Sequence, residues 1–144
     1  MAKIQIRDLE MEDASFILEV ENNKDIWKVS HTQEDFSLKD IEIFIAKNLV
    51  DGLLVGQKRW MITINKNRCG CIDLFDYDVK NKRSGIGIVV HPDFQNQGIA
   101  SKALDLMIKL CKKDLELYQM FCTIIPNNLH SIKLFESKRL KLNY

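Results

Sequence analysis

A loop of polar and small residues at positions 91–101 carries the clearest chemical signal in the sequence. It lies between an apolar run, residues 85–90, and an amphipathic segment that begins near Gly98. The first N–H groups of a helix have no partner within the helix, and together with the helix dipole they attract anions. Gly98 would let a diphosphate approach the backbone closely, and Ala100 and Ser101 would keep the first turn uncrowded. The spacing therefore predicts an anion site.

Two other phosphate-binding motifs fit the sequence less well. No Gly-Lys-Ser or Gly-Lys-Thr follows a glycine-rich loop, which excludes a nucleoside triphosphate P-loop. Gly85 and Gly87 lie inside a predicted strand and lack a third glycine, so a dinucleotide fingerprint is not expected. An ordinary strand–loop–helix connection, in which Gly98 only helps the turn, is the alternative interpretation of residues 91–101.

The elements around this loop predict an α+β fold in a single domain, residues 1–144. The predicted strands are residues 4–6, 59–64, 69–76, 85–90 and 121–125, and the predicted helices are residues 11–21, 37–49, 98–114 and 128–137. The polar turn at 65–68 predicts a hairpin, and Ser37 is a typical N-cap. The strand–helix–strand order at the end predicts a right-handed crossover with parallel pairing. The whole is an antiparallel meander that leads into one βαβ unit.

The composition argues against nucleic-acid, membrane and metal partners, so the function has to be sought in a local site. The 144 residues include 21 Lys and Arg against 20 Asp and Glu, a net charge of +1, which argues against a nucleic-acid-binding face. No apolar run approaches the ~20 residues that would span a bilayer, so no membrane partner is expected. The four cysteines lack zinc-finger spacing, so we expect no metal site and reduced thiols in a cytoplasmic protein.

The loop also resembles a known family. The motif Gln95-x-x-Gly98-x-Ala100, after a strand that ends in His91-Pro92, resembles the acetyl-CoA pyrophosphate loop of the GNAT N-acetyltransferases.

Two further stretches agree with this family in order and spacing. Residues 128–136, which begin Asn128-x-x-Ser131, resemble the family's helix after its fifth strand. Residues 71–76 and 82–88 resemble the branch that contains ribosomal-protein and spermidine acetyltransferases. The resemblance covers residues 4–140 and implies a GNAT-like acyl-CoA N-acyltransferase fold, a mixed central sheet with its C-terminal strands shortened or missing.

The resemblance also implies how acetyl-CoA would be held. The fourth and fifth strands would splay apart, and the pantetheine arm would pair with the backbone of Ile88, Val89 and Val90. The Val90 N–H would polarise the thioester carbonyl. Asn128 would contact the arm, and Phe135 would lie near the leaving sulfur. The residues that would cradle the pyrophosphate are Gln95, Asn96, Gln97, Gly98, Ile99, Ala100 and Ser101.

The acid and base of the reaction are where the sequence departs from the family. Phe135 stands where a tyrosine often serves as general acid, a contribution of typically ~10²–10⁴-fold. A thiol of pKa about 8.5 is an adequate leaving group without such help. Tyr118 and Tyr144 are the other candidates for the general acid, although their spacing supports neither. Asp73 and His91 are the candidate bases, with a solvated strand residue and a turn residue as the alternative interpretations.

The acceptor would be a primary amine, either a small amine such as a polyamine or a protein amine. Asp73 and Asp76 would favour a cationic amine. Trp27 and Ser30, between the first two helices, would line its pocket as that loop does in relatives, although Trp27 is equally suited to core packing.

The C-terminus is a further departure. Arg139 and Leu140 replace the usual Gly-Phe pair, and the four residues after Leu140 cannot supply two strands. The edge of the fifth strand would then need cover, which predicts a homodimer or a truncated remnant. Three functions stay open: an acetyl-CoA-dependent N-acetyltransferase that works by direct attack, a non-catalytic acyl-CoA-binding or interaction module, and a scaffold without ligand.

Overall fold

The computed structural model describes residues 2–22, 36–123 and 141–143, with side chains through Phe121. The strands are β1 (Ile4–Asp8), β2 (Lys58–Ile64), β3 (Asn67–Asp78), β4 (Arg83–Val90), β5 (Gln119–Thr123) and β6 (Lys141–Asn143). The helices are α1 (Ala14–Glu21), α2 (Leu38–Asp51) and α3 (Ile99–Lys113), and single 3₁₀ turns form at Met11–Asp13, Gly52–Val55 and Pro92–Phe94.

The six strands form one sheet in the order β1-β2-β3-β4-β5-β6. β1 to β4 pair antiparallel, whereas β4 pairs parallel with β5. The predicted meander, hairpin and parallel pair are therefore confirmed. The predicted last helix, residues 128–137, lies outside the described residues.

Local sequence explains where the helices begin. The Ser37 hydroxyl accepts the N–H of Asp40 at 3.1 Å, and the Asp40 carboxylate accepts the N–H of Ser37 at 3.0 Å. This reciprocal capping box satisfies two N–H groups that the helix itself cannot. It confirms Ser37 as the N-cap of α2.

The helices cover the sheet on both faces. On one face α3 packs over β2, β3 and β4, and on the other α1 and α2 pack over β2 and β3. The α3 face buries mainly Trp60, Ile62, Ile72, Leu74, Ile86, Ile99, Leu104 and Met107, and the α1–α2 face buries Leu9, Ala14, Ile17, Ile41, Ile45, Met61 and Cys71. Because α3 is anchored by this core, its N-terminus has a fixed position at the end of β4.

The chain itself pairs with the edge of β5. The short strand β6, Lys141–Asn143, lies parallel to residues 121–123 of β5. The expectation that a partner chain must cover this edge is therefore wrong, because three residues suffice to pair the three positions concerned. The homodimer stays a prediction without this support.

A buried carboxylate ties the N-terminal segment to β3. The Asp13 side chain is fully buried; it accepts two hydrogen bonds from Arg7, at 2.8 and 2.9 Å, and one from Arg68 at 2.6 Å. Burial alone would raise the pKa of Asp13, but the hydrogen bonds from the two arginines hold it below its usual value. Asp13 therefore contributes stability as a carboxylate.

Asp13→Asn should lower the free energy of unfolding by about 2–4 kcal/mol at pH 7, because two arginines lose their common counter-ion. Because the pKa of Asp13 is lower in the folded protein than in the unfolded chain, its carboxylate stabilises the fold above the unfolded-state pKa. This stability is lost as the pH falls through the folded-state pKa. Urea unfolding of the wild type should therefore show stability falling below about pH 4, and the variant should show a smaller fall. The exposed Asp114→Asn is the control. Equal stability of both variants would contradict the assignment.

The described cysteines are inert. Cys69, Cys71 and Cys111 are buried and free, and burial raises the pKa of Cys71 and Cys111 to about 12 and that of Cys69 to about 11. They are thiols rather than thiolates at neutral pH. None of the described helices is long and apolar enough to cross a membrane.

Candidate active site

β4 and β5 separate halfway along β4. Their parallel ladder joins only Arg83, Ser84 and Gly85 to residues 119–121, although β4 continues to Val90. Among the described residues, the second half of β4 is thus paired on the β3 side alone. We call this unpaired side of β4, from Gly87 to Val90, the β4 cleft; the family resemblance implies that the two strands splay apart at this place.

The hydrogen-bonding pattern of β4 decides which peptide groups face this cleft. The N–H of His91 donates to the carbonyl of Cys69 on β3 at 2.8 Å. Peptide groups alternate in direction along an antiparallel strand, so Val89 and Gly87 also bond towards β3. The peptide groups of Ile88 and Val90 therefore point into the cleft, where an extended ligand could pair with them as an added strand. The Val89 peptide group, which was also predicted to pair with the pantetheine arm, faces β3 instead.

The loop after β4 leads directly into the N-terminus of α3. The 3₁₀ turn Pro92–Phe94 is followed by Asn96 at φ +64° and by Gly98 at φ +75°, which is the N-cap of α3. The side-chain amide of Gln95 donates to the Val90 carbonyl at 3.2 Å. The loop is thus joined to the end of β4, beside the cleft.

The space around Gly98 is open. Among the residues that the structure describes, no atom lies within 4 Å of a Cβ built at this position, and no side chain caps the helix. Only the fourth residue along, Lys102, returns an N–H to the Gly98 carbonyl, at 3.2 Å. The N–H groups of Ile99, Ala100 and Ser101 precede the first helical hydrogen bond, and are available for an anion.

The seven residues predicted to contact the cofactor, Gln95 to Ser101, lie on one loop and one helix start, next to Ile88 and Val90; we call this segment the cofactor loop. Residues 95–98 are exposed, whereas Ile99 is buried in the core under α3 and anchors the first turn. Asn128 and Phe135, the other predicted cofactor contacts, lie outside the described residues, as do Trp27 and Ser30.

Asp73 lies on the α1–α2 face of the sheet in a cluster of charges. Arg59 donates to both of its carboxylate oxygens, at 2.7 and 2.9 Å, and to Glu21 of α1 at 2.7 Å. Burial alone would lower the pKa of Arg59, but the negative charge of Asp73 and further contacts, Glu21 among them, raise it well above its usual value. Arg59 and Glu21 were not among the residues predicted for this site.

Glycine at position 85 is explained by packing rather than by chemistry. A Cβ there would collide with the ring of Phe75, which covers Gly85 and stacks edge-on against Phe121 at 5.7 Å. Any larger side chain at position 85 would displace that ring. The next glycine, Gly87, lies opposite Asp73 in the β3–β4 register. No side chain at position 87 therefore covers the Asp73 carboxylate.

Asp76 is not part of the Asp73 cluster. It is exposed and lines a separate cleft of about 550 Å³, together with residues 55–57 and 75–80. This cleft is at the end of β3 that pairs with the start of β4, whereas the cofactor loop follows the end of β4. Tyr118, one substitute for the general acid, is exposed at the start of β5 and packs against Lys82.

Comparison with known proteins agrees with this geometry. A family model described as an acetyltransferase (GNAT) domain matches residues 3–140. The spermidine N(1)-acetyltransferase of Escherichia coli K12 is 19% identical over 132 residues, which are 92% of this chain and 69% of that enzyme. An uncharacterized N-acetyltransferase of Bacillus subtilis, YnaD, is 24% identical over 93% of this chain and 76% of its own length.

Two solved structures share the fold. The spermidine N-acetyltransferase of Vibrio cholerae, in complex with CoA and spermine, has a TM-score of 0.85 at 21% identity, over 93% of this chain and 78% of that one. The ribosomal L7/L12 α-N-protein acetyltransferase RimL, in complex with coenzyme A, has a TM-score of 0.82 at 15% identity, over 93% of this chain and 77% of that one. The chain belongs to the GNAT acetyltransferase family, and so it is an N-acetyltransferase that uses acetyl-CoA.

Proposed function

We propose that the chain transfers the acetyl group of acetyl-CoA directly to the primary amine of a small cationic acceptor, such as a polyamine. The observation that carries this proposal is the convergence of two features on one cleft: the β4 peptide groups that β5 does not pair, and the open N-terminus of α3. The Escherichia coli and Vibrio cholerae relatives are spermidine acetyltransferases and RimL is a ribosomal-protein acetyltransferase, which supports an amine acceptor.

The start of α3 and strand β4 bind different parts of acetyl-CoA. The N–H groups at the start of α3 hold the pyrophosphate, since a helix N-terminus favours negative charge. The Ile88 peptide group and the Val90 carbonyl pair with the amides of the pantetheine arm and orient it, which leaves the Val90 N–H for the reacting group. The Val90 N–H then stabilises the oxyanion that forms when the amine attacks, a contribution of ~10²–10³-fold for one such donor.

Asp73 is our proposed acceptor of the amine's proton. Each carboxylate oxygen bonds one Arg59 nitrogen but has a second lone pair, so the group can still bind an ammonium or a water. Arg59 fixes the orientation of the carboxylate, and the negative charge of Asp73 would favour a cationic acceptor over a neutral one. The leaving thiolate needs no general acid to depart.

Asp73→Asn should lower kcat/KM for the amine about 100-fold, since general-base help is typically worth ~10²–10⁴-fold. The Kd for CoA should change less than about twofold, because Asp73 is on β3 and not on the cofactor loop. Free-thiol release measures kcat/KM, and calorimetry measures the Kd for CoA. Asp76→Asn, in the separate cleft, is the matched control and should retain activity. A fall in CoA affinity with unchanged turnover would exclude Asp73 as the base.

Calorimetric titration with CoA tests the binding half of the proposal independently of the acceptor. Binding without turnover on any amine would favour the acyl-CoA-binding module instead. We also propose a cytoplasmic location, which the free, buried thiols of Cys69, Cys71 and Cys111 support.

A further inference from the structure

His91 joins three elements: β4, the cofactor loop and α1. Its Nδ1 accepts the N–H of Asp93 at 3.1 Å, which caps the 3₁₀ turn Pro92–Phe94. Its Nε2 lies 2.7 Å from Oε1 of Glu19 on α1. The His91 side chain is only 10% exposed, whereas that of Glu19 is 62% exposed. The imidazole is thus buried between a turn and a surface carboxylate.

These contacts determine the tautomer of the ring. A backbone N–H is always a donor, so Nδ1 must present its lone pair to Asp93, and the proton resides on Nε2. Nε2 therefore donates to Glu19. The ring is further enclosed by Phe16, with centroids 5.8 Å apart, and by Phe94 at 6.4 Å. This arrangement leaves the imidazole no nitrogen with which to accept a proton from an amine.

We propose that His91 is a positioning residue for the cofactor loop and that Glu19 holds it in place. This inference rests on the proposed binding of acetyl-CoA at residues 95–101. The His91 main chain bonds Cys69 on one side and Phe94, at 2.8 Å, on the other. Gln95 then returns to Val90. A loop fixed in this way loses less conformational entropy when a ligand binds, so the contact raises cofactor affinity.

Glu19→Ala should therefore weaken CoA binding about 5- to 10-fold, as expected for the loss of one charge-assisted hydrogen bond at a positioning residue. Glu19→Gln retains an acceptor oxygen and should weaken CoA binding about 2-fold. Glu42→Ala, an exposed glutamate of α2, is the matched control. For all three, kcat at saturating acetyl-CoA should stay within about 2-fold, because His91 does not touch the reacting atoms.

Variants at position 91 test the capping contact separately. His91→Ala should weaken CoA binding about 20-fold, and His91→Asn should recover part of this loss, since Asn is a good N-cap acceptor. Amide exchange at Asp93, Phe94 and Gln95 should accelerate in the alanine variant without any ligand. If His91 and Glu19 only stabilised the fold, every variant would have a lower melting temperature. KM for acetyl-CoA and kcat would then not change independently of each other.

The outcomes distinguish this inference from the function on which it rests. If the wild type binds CoA and Glu19→Ala binds it equally well, the inference is overturned and the proposed function stands. If His91→Ala loses kcat 100-fold with an unchanged CoA Kd, His91 is a base and not a positioning residue. If the wild type binds no CoA, both the proposed function and the inference are overturned.

Discussion

Gly98→Asp is expected to raise the Kd for CoA at least 100-fold. The substitution places a carboxylate in the open space at the N-terminus of α3, where the proposed pyrophosphate would lie. The introduced carboxylate would compete with the pyrophosphate for the same N–H groups and would repel it, because the two negative charges would lie in contact. Calorimetry with CoA, and KM for acetyl-CoA where turnover is found, would measure the effect.

Gly98→Asn is the matched control for this experiment. Asn has nearly the same size as Asp and tolerates the left-handed conformation that φ +75° imposes, but it adds no charge. It should therefore weaken CoA binding only about 5-fold. Equal affinities of the Asp and Asn variants would show that the loop does not bind an anion, and would contradict the cofactor site.

Val90→Pro is expected to lower kcat by about 10²- to 10³-fold while the CoA Kd rises by less than about 5-fold. Proline removes the N–H that we propose for the oxyanion. That N–H points into the cleft and not to β3, so its loss breaks no hydrogen bond of the β3–β4 ladder. Thiol release at saturating acetyl-CoA gives kcat, and circular dichroism gives the folded fraction.

Val90→Ala retains the N–H and removes most of the side chain, so it separates the backbone from the packing effect. It should keep kcat within about 3-fold of the wild type and lower stability by about 1 kcal/mol, as is usual for a partly buried valine. A proline variant that is folded, binds CoA and turns over normally would exclude the Val90 N–H from the reaction.

The fold could be predicted from the sequence because its local signals agree with one another. Ser37 specifies the start of α2, and the apolar run before Val90 predicts a strand, of which Ser84, Gly85 and Ile86 are buried and the second half is partly buried. Gly98 marks the start of α3. Each of these signals depends on near neighbours, and the structure confirms all three.

The charged cluster around Asp73 could not be predicted in the same way. Arg59 and Asp73 are cross-strand partners, but the register shift between Ile62 and Thr63 moves the pairing by one residue. Without that shift the hairpin would have paired Arg59 with a different residue. Glu21 approaches from another element altogether, and no spacing rule connects it to β2 and β3.

His91 shows a second kind of limit. A histidine at the end of a strand next to a binding loop is compatible with both base chemistry and turn formation. Only the two contacts, with Asp93 and with Glu19, separate these roles. The β6 pairing was missed for a related reason: a three-residue strand is too short to leave a periodic pattern, yet it pairs with β5.

The most direct test of the account is free-thiol release from acetyl-CoA against a panel of polyamines, amino acids and N-terminal peptides. We predict turnover with polyamines or other cationic primary amines, lost in Gly98→Asp and retained in Asp76→Asn. Turnover that Gly98→Asp leaves unchanged, or no turnover and no CoA binding by the wild type, would contradict the central claim that this cleft binds acetyl-CoA and presents it to an amine.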